Sequence, residues 1–449
     1  MVERYNNEHK IIDSSARSIL SVTIPILCTS LSICLMFVTD RLMLAGYCLD
    51  SMNASVMSGN FVVTFSYMLV SVAASSEIFV GQYNGDKQYD QLGAPTWQMI
   101  YLSIFSILIF VPVAYYSEYF NTLPDYFLEE GLAYQRPLMY FGFLQGIIMA
   151  FAAFFVGQGK ARIVTSVVVI GVVINAILAY IFIYKFRMGC SGAATATVIA
   201  EAIQATTLAA IFFNKKNREI YKTWQNRRFN KKLFWGCIKI GGPLALGHFI
   251  AMAAWYTTQT AVAHVSKEQA TIYNVGINIY VFFIFFGDGL NKAIATISAN
   301  MIGRRDLPSI RKTYKFFVRM ALTFSSLVAI PLIVFPEWTL KELDMVSHDF
   351  IKLHDQIRVV FLLVSINNFL ETLMLMTWGV LNSGGDTRYP VIVNQVLIWT
   401  LVVAPIIIAY YMEMLDGTMV YKFCMIWLSI SLFMFYRRYK SLKWYNKLV

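Results

Sequence analysis

Charge is what this sequence has least of. Only 14% of its 449 residues are Asp, Glu, Lys or Arg, while 57% are hydrophobic and 34 are Phe. A soluble globular protein is about one quarter charged, so this composition excludes one and points to a polytopic membrane protein. Cysteine is scarce too. The six present (28, 34, 48, 190, 237 and 424) form no CxxC or Cys/His spacing, so no metal site is implied. There is no GxxxxGK[ST] loop, which removes ATP as a driving force, and the runs Gly81–Lys87 and Gly157–Lys160 read as turns between helices. No loop exceeds about 20–25 residues, too few for a soluble domain of usual size. Residues 1–17 are polar and lack the apolar core of a secretory signal. No cofactor is implied. The net charge of +11 sits in loops on one side of the apolar runs, so it does not imply a nucleic-acid partner.

What is present is a series of apolar runs long enough to cross a ~30 Å hydrocarbon core. They fall near 18–46, 53–81, 96–116, 136–158, 163–185 and 190–213, then near 236–263, 271–300, 314–336, 356–381, 390–412 and 417–436. Twelve helices follow, which make an all-α integral membrane protein. The organisation is a terminus (1–17), an N-lobe (18–213), a basic linker (214–235), a C-lobe (236–436) and a basic tail (437–449). Lys and Arg crowd the N-terminus, the linker, the stretch Gly303–Lys312 and the tail, whereas 117–130 has none and 337–355 only Lys341 and Lys352. By the positive-inside rule both termini and the linker face the cytoplasm, and the linker reads as a solvated connection. The expected location is the cell (inner) membrane, with the lipid bilayer as partner and the chain a monomer.

Two internal repeats divide the chain. Pro25 and Pro243 open helices 1 and 7 and lie 218 residues apart, as do Gly85 and Gly303 after helices 2 and 8. Phe155–Arg162 matches Leu381–Arg388 at an offset of 226, the eight extra residues falling in the longer loop between helices 9 and 10. Two six-helix halves in parallel orientation result.

Inside these spans the few polar groups stand out. Asp40 lies about 9 Å below the outer end of helix 1, counting 1.5 Å per residue. An ionised Asp at such a depth costs roughly 2.5–3.5 kcal/mol on insertion scales, which marks it as the group that binds a proton or cation. Asn175, Thr197 and Glu201 fall in the same half of the bilayer, with Thr197 and Glu201 one turn apart on one face. They read either as an oxygen cage with Asp40 or as hydrogen bonds between helices. Glu201 is either a second coupling carboxylate or a partner of Arg41. In the second half Glu371 is the candidate for substrate binding or a second relay, with Asn367 and Asn368 a turn away. Asp288 reads as the i,i+4 partner of Lys292. His248 is either titratable or an interhelical donor. Pro25 is a hinge candidate. Cys48 and Cys190 both fall outside and could pair there.

Taken in order, several motifs carry a resemblance. They are Ile24-Pro25 with Val38-Thr-Asp40, Val80-Gly-Gln-Tyr-Asn-Gly85, Gly157-Gln-Gly-Lys160, Asn175 with Leu178, Gly192-Ala-Ala-Thr-Ala-Thr197, and the run from Gly379 to Thr387. Together they resemble the multidrug and toxic compound extrusion (MATE) family over nearly the whole chain. That resemblance implies two six-helix bundles around a V-shaped cavity, with a small organic substrate exported in exchange for H⁺ or Na⁺. It also implies a cation site at Asp40, Asn175 and Thr197, a bendable helix 1 at Pro25, and a helix 10 acid at Glu371. Three positions depart from the family pattern: Ala179 and Ala251 replace acidic residues, and Arg41 follows Asp40. The loss at Ala179 weakens a Na⁺ site and favours a proton. The expected function is therefore a proton-coupled (second, Na⁺-coupled) antiporter for lipophilic or cationic compounds. A lipid or lipid-linked saccharide flippase and a polytopic membrane enzyme using His248 stand as alternatives.

Overall fold

A computed structural model of the chain describes residues 13–120, 125–334 and 348–445, and every regular element among them is helical. The helices used below are α1 (Ala16–Tyr47), α2 (Leu49–Ala74), α3 (Ser76–Gly85), α4 (Gly93–Phe105), α5 (Asp125–Tyr140), α6 (Phe143–Gly157), α7 (Ala161–Tyr180) and α8 (Gly189–Phe212). They continue with α9 (Lys231–Ala263), α10 (Lys267–Gly303), α11 (Leu307–Val334), α12 (His348–Ser383), α13 (Arg388–Ile398) and α14 (Met419–Lys440). Helix α1 starts where its sequence supplies a cap. The Ser15 hydroxyl accepts from the Ser18 N–H, and Asp13 accepts from both the backbone N–H and the hydroxyl of Ser15. Those bonds hold the Asp13 carboxyl below its ordinary range.

Among the described residues ten helices are long and apolar enough to cross a bilayer, and the pair 128–140 and 143–157, bent by 46°, makes an eleventh. The remaining expected span, 271–300, lies within the 37-residue helix α10, which carries Asp288 and Lys292 in its interior. The basic residues Arg4 and Lys10, and most of the acidic loop expected over 337–355, lie outside the described residues.

The backbone repeats where the sequence does. Lys87 and Arg305, 218 apart, both end their helices at positive φ (59° and 60°). Gly159 and Gly385, 226 apart, do the same at 74° and 79°, and Arg187 and Glu413, also 226 apart, at 55° and 58°. One chain therefore carries the same sequence of helix terminations twice.

Two compact units are present, but they do not part at the linker. The first runs to His248 and takes in Ala299–Asp306; the second holds Phe249–Ser298 and Leu307–Asn446. The first turns of α9 stay with the first unit because they pack on α2 and α3. Gly241 lies against the backbone of Val72, the Ser75 hydroxyl donates to the Cys237 carbonyl at 3.0 Å, and Gly236 meets the Phe79 ring.

The first unit is held at one end by a rigid core of aromatic rings, with Phe154 edge-on to Phe212 at 4.8 Å and to Tyr221 at 5.6 Å. Segment 214–230 is bound to that end. Trp97 Nε1 donates to the Thr223 carbonyl at 2.6 Å, Asn226 Nδ2 to the Asp90 carbonyl at 2.6 Å, and Gln98 Oε1 accepts from the Asn230 N–H at 3.0 Å. The stretch expected to be a solvated linker is thus a docked element.

At the same end the last turn of α10 crosses α3. A methyl on Gly85 would overlap the carbonyl of Asn300, and one on Gly303 would overlap the carbonyl of Gln82. Residues 85 and 303, and 82 and 300, are repeat partners, so the crossing is reciprocal. Asn300 ties it further, accepting from Asn84 Nδ2 at 2.6 Å and donating to the Gly157 carbonyl at 2.8 Å. Because backbone carbonyls rather than side-chain tips occupy the space, Gly85→Ala and Gly303→Ala should each cost about 1–3 kcal/mol. Gly242→Ala, which meets only Ile238 of its own helix at 3.9 Å, should be neutral or stabilising. Thermal unfolding of the three purified variants in detergent distinguishes these outcomes.

Candidate cation site and buried carboxylates

Asp40 sits in the interior of α1, seven residues before its end, and is only 4% exposed. It faces α7 and α8, which supply Asn175 and Thr197, both buried. The two helices approach closely because position 171 is glycine: any side chain there would overlap the amide of Gln204. One turn further along α7, Asn175 Nδ2 donates to Thr197 Oγ1 at 3.0 Å. The Thr197 hydroxyl reaches Asp40 Oδ2 at 3.3 Å and its own helix's Ala193 carbonyl at 3.1 Å. Of the four residues that depth counting puts in the same half of the bilayer, Asp40, Asn175 and Thr197 are linked through the Thr197 hydroxyl. Asp40 Oδ1 and Asn175 Oδ1 are both buried and accept no hydrogen bond from the described residues. Two acceptor oxygens without a donor, beside a third oxygen on Thr197, are suited to taking up a proton or a hard cation.

Ala179, one turn after Asn175, is fully buried in an apolar cluster with Tyr134, Leu138, Ala193 and Ala196. It is packed, not open to a missing ligand.

Glu201 lies one turn beyond Thr197 on α8 and is buried. Its Oε1 accepts from Gln145 Nε2 of α6 at 2.9 Å. Arg41 is exposed, and among the described residues it makes no ion pair with Glu201. Tyr134 of α5 is buried in the same apolar cluster as Ala193 and Ala196 of α8.

Pro25 breaks the hydrogen-bond ladder of α1 because it has no N–H. Its carbonyl accepts from Thr165 Oγ1 of α7 at 2.7 Å and from Thr29 Oγ1 at 3.0 Å. The hinge candidate is thus tied to the same helix that carries Asn175.

The second unit holds its own half-buried acid. Glu371 on α12 lies beside the Tyr280 phenol of α10, near enough to interact but short of a well-formed hydrogen bond. Asn367 Nδ2 donates to the Tyr421 carbonyl at 3.0 Å, and the Asn368 carbonyl accepts from Thr372 at 2.7 Å. Asp288 and Lys292 form the expected i,i+4 pair at 2.6 Å, with both side chains about half exposed. His248 Nδ1 is 2.9 Å from the Ser71 hydroxyl and its ring stands edge-on to Tyr67, which is the interhelical role. The expected pairing of Cys48 with Cys190 is corrected: both thiols are free, and the buried Cys190 Sγ donates to the Ser51 carbonyl at 3.1 Å.

Sequence reasoning does not single out Gln145, Thr165, Tyr134 or Tyr280. Gln145 is the one polar side chain in the apolar run of α6, which is a usable signal; Thr165 and the two tyrosines carry no distinguishing mark.

The MatE family model matches residues 25–181 and 243–410, both halves of the repeat. A probable multidrug resistance protein NorM of Thermotoga maritima is 20% identical over 384 residues, covering 83% of this chain and 81% of its own. The uncharacterized transporter YisQ of Bacillus subtilis is 21% identical over 448 residues, covering 96% and 95%. Among solved structures, a MOP superfamily transporter from Pyrococcus furiosus, described as having a binding pocket of reverse polarity, superposes with a TM-score of 0.84 at 16% identity, covering 95% of this chain and 96% of that one. A MATE transporter in a straight conformation gives 0.85 at 16% identity with the same coverage. Those likenesses carry the fold, and the family model spans well over half the sequence: the chain belongs to the MatE family of multi-pass membrane transporters and is not an enzyme.

Proposed function

We propose that the protein is a secondary active efflux transporter that exports small organic compounds, lipophilic or cationic, in exchange for protons, with Asp40 as the coupling carboxylate. The carrying observation is the pair of buried, unpartnered acceptors, Asp40 Oδ1 and Asn175 Oδ1, flanking Thr197. A buried polar atom left unpaired costs about 1–3 kcal/mol, more if charged. One proton on Asp40 removes the charge and supplies a donor at once. Sodium fits the oxygen chemistry less well, since Asp40, Asn175 and Thr197 offer few ligands and Ala179 adds none. The multidrug names of relatives support the substrate class.

In the working cycle a proton reaches Asp40 from outside, the neutralised α1 bends at Pro25, and substrate leaves outward. Re-opening inward releases the proton to the cytoplasm. Glu201, held by Gln145, is the second proton-accepting group on this path, and Glu371 is its counterpart in the second unit. Alternating access requires the two states to bind substrate and proton unequally.

One charge crossing 100 mV is worth ~2.3 kcal/mol, enough for about a fiftyfold gradient. Asp40→Asn should fold normally yet let that gradient collapse in proteoliposomes with an imposed pH difference; transport at the wild-type level would overturn the assignment. At clamped pH an imposed Na⁺ gradient should drive no efflux, and Na⁺-driven efflux would replace the proton reading. Thr197→Val strands the amide of Asn175 and should lower stability by about 1–3 kcal/mol, whereas Thr197→Ser should retain it, as read by thermal unfolding.

A further inference from the structure

Segment 214–235 carries eight cations, Lys215, Lys216, Arg218, Lys222, Arg227, Arg228, Lys231 and Lys232, against the single carboxylate of Glu219, and all eight are exposed. Its backbone is fixed by the bonds from Trp97, Gln98 and Asn226, so these charges are displayed from a rigid support. Aromatic rings are displayed with them: Trp224, Phe229 and Trp235 are 43%, 56% and 56% exposed. The guanidinium of Arg218 lies 5.9 Å from the centre of the Trp224 ring and that of Arg227 lies 4.7 Å from it. A guanidinium lying over an indole keeps its in-plane N–H donors free for an oxyanion. Neither arginine joins an ion pair among the described residues, whereas Lys222 is taken up by Asp90 at 3.6 Å.

Location selects the partner. The segment begins where the candidate span Gly189–Phe212 ends and leads into the span that starts at Lys231, and it lies along the first turns of the span Tyr89–Tyr115. Rings and cations at that level face lipid headgroups, where Trp and Tyr are enriched and where each Lys or Arg near an anionic surface adds to binding.

We propose that Arg218 and Arg227, braced on Trp224, bind the phosphate of an anionic phospholipid in the adjoining leaflet, with Arg228, Lys231 and Lys232 completing a headgroup site and the exposed rings contacting its acyl region. The site is separate from the cation site, and it stands whether or not Asp40 couples transport.

The test titrates the purified full-length protein in detergent with dioctanoyl phosphatidylglycerol, and in parallel with dioctanoyl phosphatidylcholine, followed by native mass spectrometry. Wild type should retain the anionic lipid preferentially, and raised salt should weaken that preference. Arg218→Gln with Arg227→Gln should lower its apparent affinity about thirtyfold, with an unchanged unfolding midpoint in phosphatidylcholine. Should that variant not fold, Lys231→Gln with Lys232→Gln provides the same reading from side chains with no packing role. Equal retention of both lipids by wild type, an undiminished preference in the folded variants, or displacement of the lipid by an equal concentration of inorganic phosphate would each overturn the proposal.

Discussion

A single hydroxyl proton is contested at the centre of the first unit. Thr197 Oγ1 accepts from Asn175 and has one hydrogen to give, with the Ala193 carbonyl at 3.1 Å and Asp40 Oδ2 at 3.3 Å both in reach. It satisfies one of them at a time. An ionised Asp40 draws that hydrogen away from the helix backbone, and a neutral one returns it, so the charge on α1 is felt in the bonding of α8. Three helices are thereby linked through one oxygen atom. Around it, α7 and α8 lie close at Gly171, Ala179 is packed in apolar surroundings and Gln145 bonds Glu201 one turn further along α8.

Much of this is legible in the order of residues alone. Offsets of 218 and 226 are visible at Gly85/Gly303 and Phe155/Leu381, and the backbone repeats its positive-φ terminations at the same intervals. Depth along a helix also reads directly, because rise per residue is fixed, and it brings Asp40, Asn175, Thr197 and Glu201 to the same half of the bilayer. Rotation about the helix axis does not read so well. Helices apolar all round carry little periodicity to say which face meets which neighbour, so Gln145 as the donor to Glu201 and Thr165 as the partner of Pro25 are visible only in the folded chain. The cysteine pairing fails for the same reason: Cys48 and Cys190 share a level, but the Cys190 side chain turns inward to Ser51.

The linker departs from expectation differently. Its charge density reads as solvated, yet Trp97, Gln98 and Tyr101 of α4 hold its backbone carbonyls and N–H groups. Charge describes side chains, while docking here is made by the main chain, which composition does not report. Segment boundaries suffer similarly. Small residues such as Gly236 and Gly241 let α9 lie against α2 and α3, so the compact unit ends at His248 instead of at the basic stretch.

The crossing of Gly85 and Gly303 has a consequence for how the sequence can drift. Gly85 faces the main-chain carbonyl of Asn300 and Gly303 that of Gln82, two residues that are themselves repeat counterparts, so neither position gains room when the neighbouring side chain changes. Compensation of the usual kind, one residue growing while its partner shrinks, is closed to both. The two halves of the repeat, free to differ elsewhere, are bound at this point to remain alike.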